Sequence, residues 1–139
     1  MRKLKVLAMF AITAALAMGC TAAAGPAPGG TVNSTLTDMK IAVDRSSVPA
    51  GPITFVVKNN GAVVHELVVI KTDVSQDKLA ADADEVGKMD ETGNVGETGD
   101  MIAGTSKTFT VTLGAGHYVL MCNEIGHYAS GMHMAFTVN

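Results

Sequence analysis

His117-Tyr118-Val119-Leu120-Met121-Cys122, then Asn123-Glu124-Ile125-Gly126-His127-Tyr128-Ala129-Ser130-Gly131-Met132, then Met134-Ala135-Phe136-Thr137-Val138 is the stretch on which the fold is decided. A β-prone apolar run ends on a thiol. A short loop with two glycines follows, and a second β-prone run closes the chain. Within the loop the donors fall as Cys-x4-His-x4-Met: Cys122, His127, Met132. Gly126 and Gly131 immediately precede the last two and permit tight backbone turns.

Upstream, the same period of two recurs. Ser106 to Leu113 alternates cleanly, with Phe109, Val111 and Leu113 on one face, and Gly114-Ala115-Gly116 turns the chain. Ile53 to Lys58 puts Ile53, Phe55 and Val57 on one side, and Asn59-Asn60-Gly61 is a turn signal. His65 to Ile70 reads as a strongly apolar strand with an imidazole at its head. Met39, Ile41 and Val43 alternate with polar neighbours, and Thr31 to Leu36 is a first strand. Many short strands separated by turns, in 139 residues without Trp, give one all-β domain, a Greek-key β-sandwich. No Rossmann glycine fingerprint or P-loop occurs.

Thr72 to Thr105 breaks the rhythm. It holds nine of the thirteen acidic residues and five glycines. Ser75 as N-cap with Asp77 in the first turn, followed by Leu79 and Ala80, predicts a short helix there. Residues 87 to 104 read as a long loop, and the whole insertion as a solvated acidic surface.

The ligand chemistry follows from residue types. His65, Cys122, His127 and Met132 are two imidazoles, a thiolate and a thioether, the set of a blue (type 1) copper site cycling between Cu(I) and Cu(II). In a sandwich, His65 at the start of one strand and Cys122 at the end of another can meet where loops gather. Zinc is the chemical rival, and the Met disfavours it. With four positions filled, no open site remains for a substrate, which argues against an enzyme. The other candidates are read blandly: Met39 and Met134 as core, His117 as a surface or core residue and His133 as an exposed one.

The N-terminus carries an address. Met1-Arg2-Lys3-Leu4-Lys5 is basic and Val6 to Met18 apolar, too short to span a membrane comfortably. Small residues before Cys20 resemble a lipoprotein signal, with residues 1–19 removed and Cys20 lipidated. Ordinary cleavage at Ala22-Ala23-Ala24 is the competing reading. Residues 20–30, rich in Gly, Pro and Ala, are a flexible tether. Residues 31–139 are then a monomeric domain exported to the periplasm or the outer face of the cytoplasmic membrane, touching the membrane only through the lipid. Loss of Arg2, Lys3 and Lys5 leaves seven Lys and Arg against thirteen acids, a net charge of −6. There is no basic patch for nucleic acid. Cys122 is then a lone thiol in an exported protein, which favours metal ligation over a disulfide.

The order His…Cys-x4-His-x4-Met on a β pattern resembles the cupredoxins, with the spacing of the auracyanin and rusticyanin-like branch. The likeness covers roughly residues 31–139, the acidic insertion least. It implies that His65, Cys122 and His127 are equatorial ligands and Met132 the axial one. It further implies single-electron transfer with a cytochrome or oxidase-like partner, through the edge of His127 and its apolar neighbours Ile125, Tyr128 and Ala129. The alternative is copper storage or delivery, with Met89, Met101, Met132, Met134 and His133 as a softer Cu(I) surface. One departure stands out: many relatives carry Asn after the upstream His, tying two ligand loops together, and this chain has Glu66.

Overall fold

The computed structural model describes residues 29–139, and the secretion signal and most of the tether expected at the N-terminus lie outside the described residues. Nine strands are found there: β1 (Gly30–Thr37), β2 (Lys40–Val43), β3 (Ser47–Val48), β4 (Gly51–Asn59), β5 (Val68–Lys71), β6 (Asn94–Glu97), β7 (Ser106–Leu113), β8 (Gly116–Met121) and β9 (His133–Val138). They form two sheets, ordered β2-β1-β4-β7 and β3-β9-β8-β5-β6. β1 runs parallel to β4 and β3 parallel to β9, whereas the other pairs are antiparallel. The expected β-sandwich is the observed one.

The alternating positions read from the sequence supply the interior. Ile53, Phe55 and Val57 of β4, with Val32 and Leu36 of β1, meet Leu120 of β8, Phe136 and Val138 of β9 and Val69 of β5. Phe55 stacks on its cross-strand partner Phe109 with centroids 5.2 Å apart, and reaches Phe136 of the other sheet at 5.8 Å. These rings join the two sheets at their middle.

A second apolar cluster lies on the outer face of the five-stranded sheet. Val68, Ile70, Val119, Met121 and Tyr128 form it, and Leu79 and Met89 of the insertion pack over them. β5 and β8 are thus buried on both faces, the reason their sequences are continuously apolar instead of alternating.

The insertion therefore differs from a merely solvated loop. It contributes β6 at the sheet edge and a strap, residues 72–92, across the outer face. The helix expected after Ser75 does not form. One turn closes, with Lys78 N–H donating to the Ser75 carbonyl at 2.9 Å. The next amide, Leu79 N–H, donates instead to the Tyr128 hydroxyl at 3.0 Å, and Ala81 bridges to Met89. Tertiary partners thus capture the groups a second helical turn needs.

Two smaller expectations also change. Met39 is not core: it is 38% exposed, with φ of 61°, in the two-residue turn that joins β1 and β2. His65, Glu66 and Leu67 precede β5 instead of opening it. They pair with the insertion: His65 and Met101 exchange backbone bonds of 3.1 and 2.8 Å, and Leu67 N–H donates to Thr98 Oγ1 at 2.9 Å.

Candidate metal centre

Cys122 lies one residue beyond β8, where the strand delivers it, fully buried, to one end of the sandwich. Its N–H donates to the Met132 carbonyl at 3.0 Å, so the two ends of the ligand loop close on each other at the start of β9. Between them the loop winds through short turns. His127 N–H donates to the Glu124 carbonyl at 2.9 Å, and Met132 N–H to the His127 carbonyl at 3.1 Å. Gly126 and Gly131 have φ of 78° and 97°, where a side chain is disfavoured.

His65 arrives from across the sandwich. Its ring is fully buried, and its Nδ1 lies 3.2 Å from His127 Nδ1 and 3.9 Å from Cys122 Sγ. His127 Nδ1 lies 3.4 Å from Cys122 Sγ. All three donor atoms therefore face one point. A trigonal metal with bonds of about 2.0 Å to nitrogen and about 2.3 Å to sulfur holds its donors roughly 3.5–3.7 Å apart. The observed triangle matches that within a few tenths of an ångström, so the donor set fits a single metal ion. Met132 is fully buried in the same apolar cluster as Cys122.

Neighbouring groups fix this triangle. His65 Nε2 meets Asp38 Oδ1 at 3.1 Å, which leaves Nδ1 free as a donor to metal. Asp38 sits in the β1–β2 turn beside Met39 and also accepts from Ala62 N–H at 2.9 Å. Those bonds hold its carboxyl below the usual carboxylate range, the Ala62 amide first and His65 second. Gly61 is required here: a Cβ would overlap Asp38 Oδ1 and stand 2.7 Å from His65 Nε2.

Glu66 N–H donates to Cys122 Sγ at 3.4 Å, a bond that favours a thiolate. The Glu66 side chain is nine-tenths buried. Burial first, then Glu91, Glu124, Glu97 and Asp100, push its carboxyl up to about 7. Without metal, burial also pushes the Cys122 thiol up to about 11. Burial, and then His65, lower His127, so its ring is neutral near pH 7. A metal ion is what makes this thiol a thiolate at neutral pH. His127 alone of the three donors is only half-buried, beside Ile125, which is 70% exposed.

Sequence reasoning brought forward all four candidate ligands but not the contacts around His65 made by Asp38, Asn59 and Met101. Asp38 and Asn59 carried only the signal of residues beside turns. Of the thioethers read as a Cu(I) surface, Met101 and Met132 are buried, whereas Met89 and Met134 are half-buried, packed against the outer cluster and the core respectively. His133 is half-buried against the Tyr128 ring, with centroids 4.5 Å apart, and His117 is exposed.

Residues 20–139 match the family described as "Sulfocyanin (SoxE) domain". Among solved structures, the chain is similar to reduced auracyanin from the photosynthetic bacterium Roseiflexus castenholzii. The two share 28% identity over 81% of this chain and 98% of that one, with a TM-score of 0.61. Auracyanin B shares 24% identity over 84% of this chain and 93% of its own, with a TM-score of 0.59. Rusticyanin from Thiobacillus ferrooxidans shares 18% over 81% and 79%, with a TM-score of 0.63. The last two likenesses speak for the fold alone. No curated protein matches the chain.

Proposed function

The chain belongs to the sulfocyanin (SoxE) family of cupredoxins, and from that premise we propose that His65, Cys122, His127 and Met132 would hold its single type 1 copper. It is a blue copper electron carrier and not an enzyme. The observation that carries the ligand assignment is the triangle itself. Donor atoms from residue 65 and from residues 122 and 127, far apart in the chain, lie within 4.8 Å of one another.

Bound copper supplies a one-electron couple. The chain's own residues do the rest. Cys122 offers a soft donor, stabilised as thiolate by the Glu66 amide. Asp38 orients His65, and the two sheets hold both buried ligands out of water. A rigid cage limits rearrangement between the oxidation states, which keeps transfer fast. His127 is the exit for the electron, because its ring alone reaches the surface, and the apolar Ile125 beside it suits a brief docking contact. The donor and acceptor are cytochrome or oxidase-like redox proteins.

The domain works as a monomer outside the cytoplasm, tethered to a lipid on Cys20 once residues 1–19 are removed. The tether is shorter than the expected 20–30, because Gly29 is buried and Gly30 opens β1. Among the described residues no helix is long and apolar enough to cross a membrane. The test is to load the purified domain with one equivalent of Cu(II) and record visible and electron-spin-resonance spectra. An intense blue band that Cys122→Ser abolishes is expected, and a colourless copper complex overturns the reading. Metabolic labelling with a radioactive fatty acid, compared between the full chain and Cys20→Ala, tests the anchor.

A further inference from the structure

The ligand loop does not stand on the sandwich alone. Apart from the bonds to the flanking residues Cys122, Met132 and His133 and the approach of the His127 ring to His65, every hydrogen bond by which residues 123–131 reach the rest of the described chain ends on the strap. Asn123 Oδ1 accepts from Met89 N–H at 2.7 Å, while its Nδ2 donates to the Met89 carbonyl at 2.9 Å and to Glu91 Oε1 at 2.8 Å. Gly126 N–H donates to the Gly87 carbonyl at 2.9 Å. The Tyr128 hydroxyl donates to the Gln76 carbonyl at 2.6 Å and accepts from Leu79 N–H at 3.0 Å.

The strap is a firm mount. Asp82 N–H donates to the Lys88 carbonyl and Asp90 N–H to the Ala80 carbonyl, closing residues 80–90 as an irregular hairpin. Leu79 and Met89 fasten it to β5 and β8. Asn123 is 3% exposed and Tyr128 6%, so both anchors work out of water, where a made hydrogen bond is hard to replace. They also adjoin the chemistry: Asn123 follows Cys122 and Tyr128 follows His127.

We propose that residues 76–91 are a brace for the ligand loop, with Asn123 and Tyr128 as its positioning residues, so that the loop keeps one shape with or without copper. The inference rests on the proposed ligand set. An unbraced loop is free to swing His127 away from His65 and Cys122, and copper is then lost by way of the loop.

The test compares Asn123→Ala and Tyr128→Phe with the unmodified domain. Tyr128→Phe keeps the ring in the outer cluster and removes only the hydroxyl. Val32→Ala, a core truncation in β1, serves as a control for general destabilisation. Two rates are read: loss of the blue band to excess chelator, and amide exchange of residues 124–131 in the copper-free protein. Both brace variants stay blue but lose copper about 10–100-fold faster, the usual scale for groups that orient ligands. Their loop amides exchange at least tenfold faster while the β4 amides hold. Val32→Ala leaves the loop amides within twofold of the unmodified domain. Rates within twofold of it in both brace variants overturn the brace while leaving the copper site standing, as does equal loop loosening in Val32→Ala. An unmodified domain that is not blue overturns the ligand set instead, and the amide exchange rates still decide the brace.

Discussion

Asn59 makes the sharpest test of how the fold presets the site. It ends β4, is fully buried, and its side chain makes three bonds: Nδ2 to the carbonyls of Val63 and Met101, and Oδ1 from Gly61 N–H, each 2.8 Å. Those bonds fold residues 59–65 into the turn that aims His65, and tie it to the Met101 segment that pairs with it. Asn59→Ala deletes all three. At about 1 kcal/mol net for each bond, the loss is about 3 kcal/mol. The figure stays near that value because the Met101 carbonyl keeps a second donor, His65 N–H. For a domain of this size, about 4 °C per kcal/mol gives a fall in melting temperature of about 12 °C. Copper binding should suffer as well, because His65 must then be ordered at the moment of binding. Each tenfold loss of affinity, about 1.4 kcal/mol, narrows the gap between copper-loaded and copper-free melting points by roughly 5–6 °C. Differential scanning calorimetry on both forms reads both numbers. A copper-free melting point within 4 °C of the unmodified domain refutes the reasoning, since it is less than one lost bond should cost.

Asp38→Asn keeps the turn but replaces the carboxylate that His65 Nε2 contacts, so competitive titration should find Cu(II) bound about 10–100-fold more weakly. Gly61→Ala places a methyl group between Asp38 and His65, so the same titration should show a loss at least as large. Met39→Gly removes a left-handed non-glycine residue from an exposed turn and should stabilise the domain by about 1 kcal/mol in urea unfolding. The Cys122 thiol of the copper-free protein, raised to about 11 from an ordinary value of 9.0, stays protonated between those values while the unfolded chain gives up its proton. The contribution of Cys122 to copper-free stability should therefore be complete below about pH 9 and be lost from there toward 11, a step separate from that of Glu66, whose contribution is lost between its ordinary value of 4.5 and about 7. Thiol reagents should label native Cys122 slowly at pH 8, and rapid labelling would show an accessible thiol.

The sequence by itself determined the class of fold and the residue types at the site. Alternation at Ile53, Phe55 and Val57 and at Phe109, Val111 and Leu113 is a local consequence of the pleat, so it is written in neighbouring residues and can be read there. Cys122, His127 and Met132 share one short loop, and their spacing carried the chemistry directly. Only tertiary structure decided what surrounds them. Ser75 and Leu79 have a helical pattern, yet the hydroxyl of Tyr128, 49 residues from Leu79, takes the amide that a second turn requires. Met39 fits a strand pattern, yet the turn that places Asp38 beside His65 leaves it exposed. The acidic insertion has few large apolar groups, but Leu79 and Met89 suffice to seat it on a sheet whose outer face is already apolar. Short-range periodicity records which face of a strand is buried. It does not record which distant backbone group a side chain will satisfy, because that partner is chosen only when the two sheets close and every buried donor must find an acceptor.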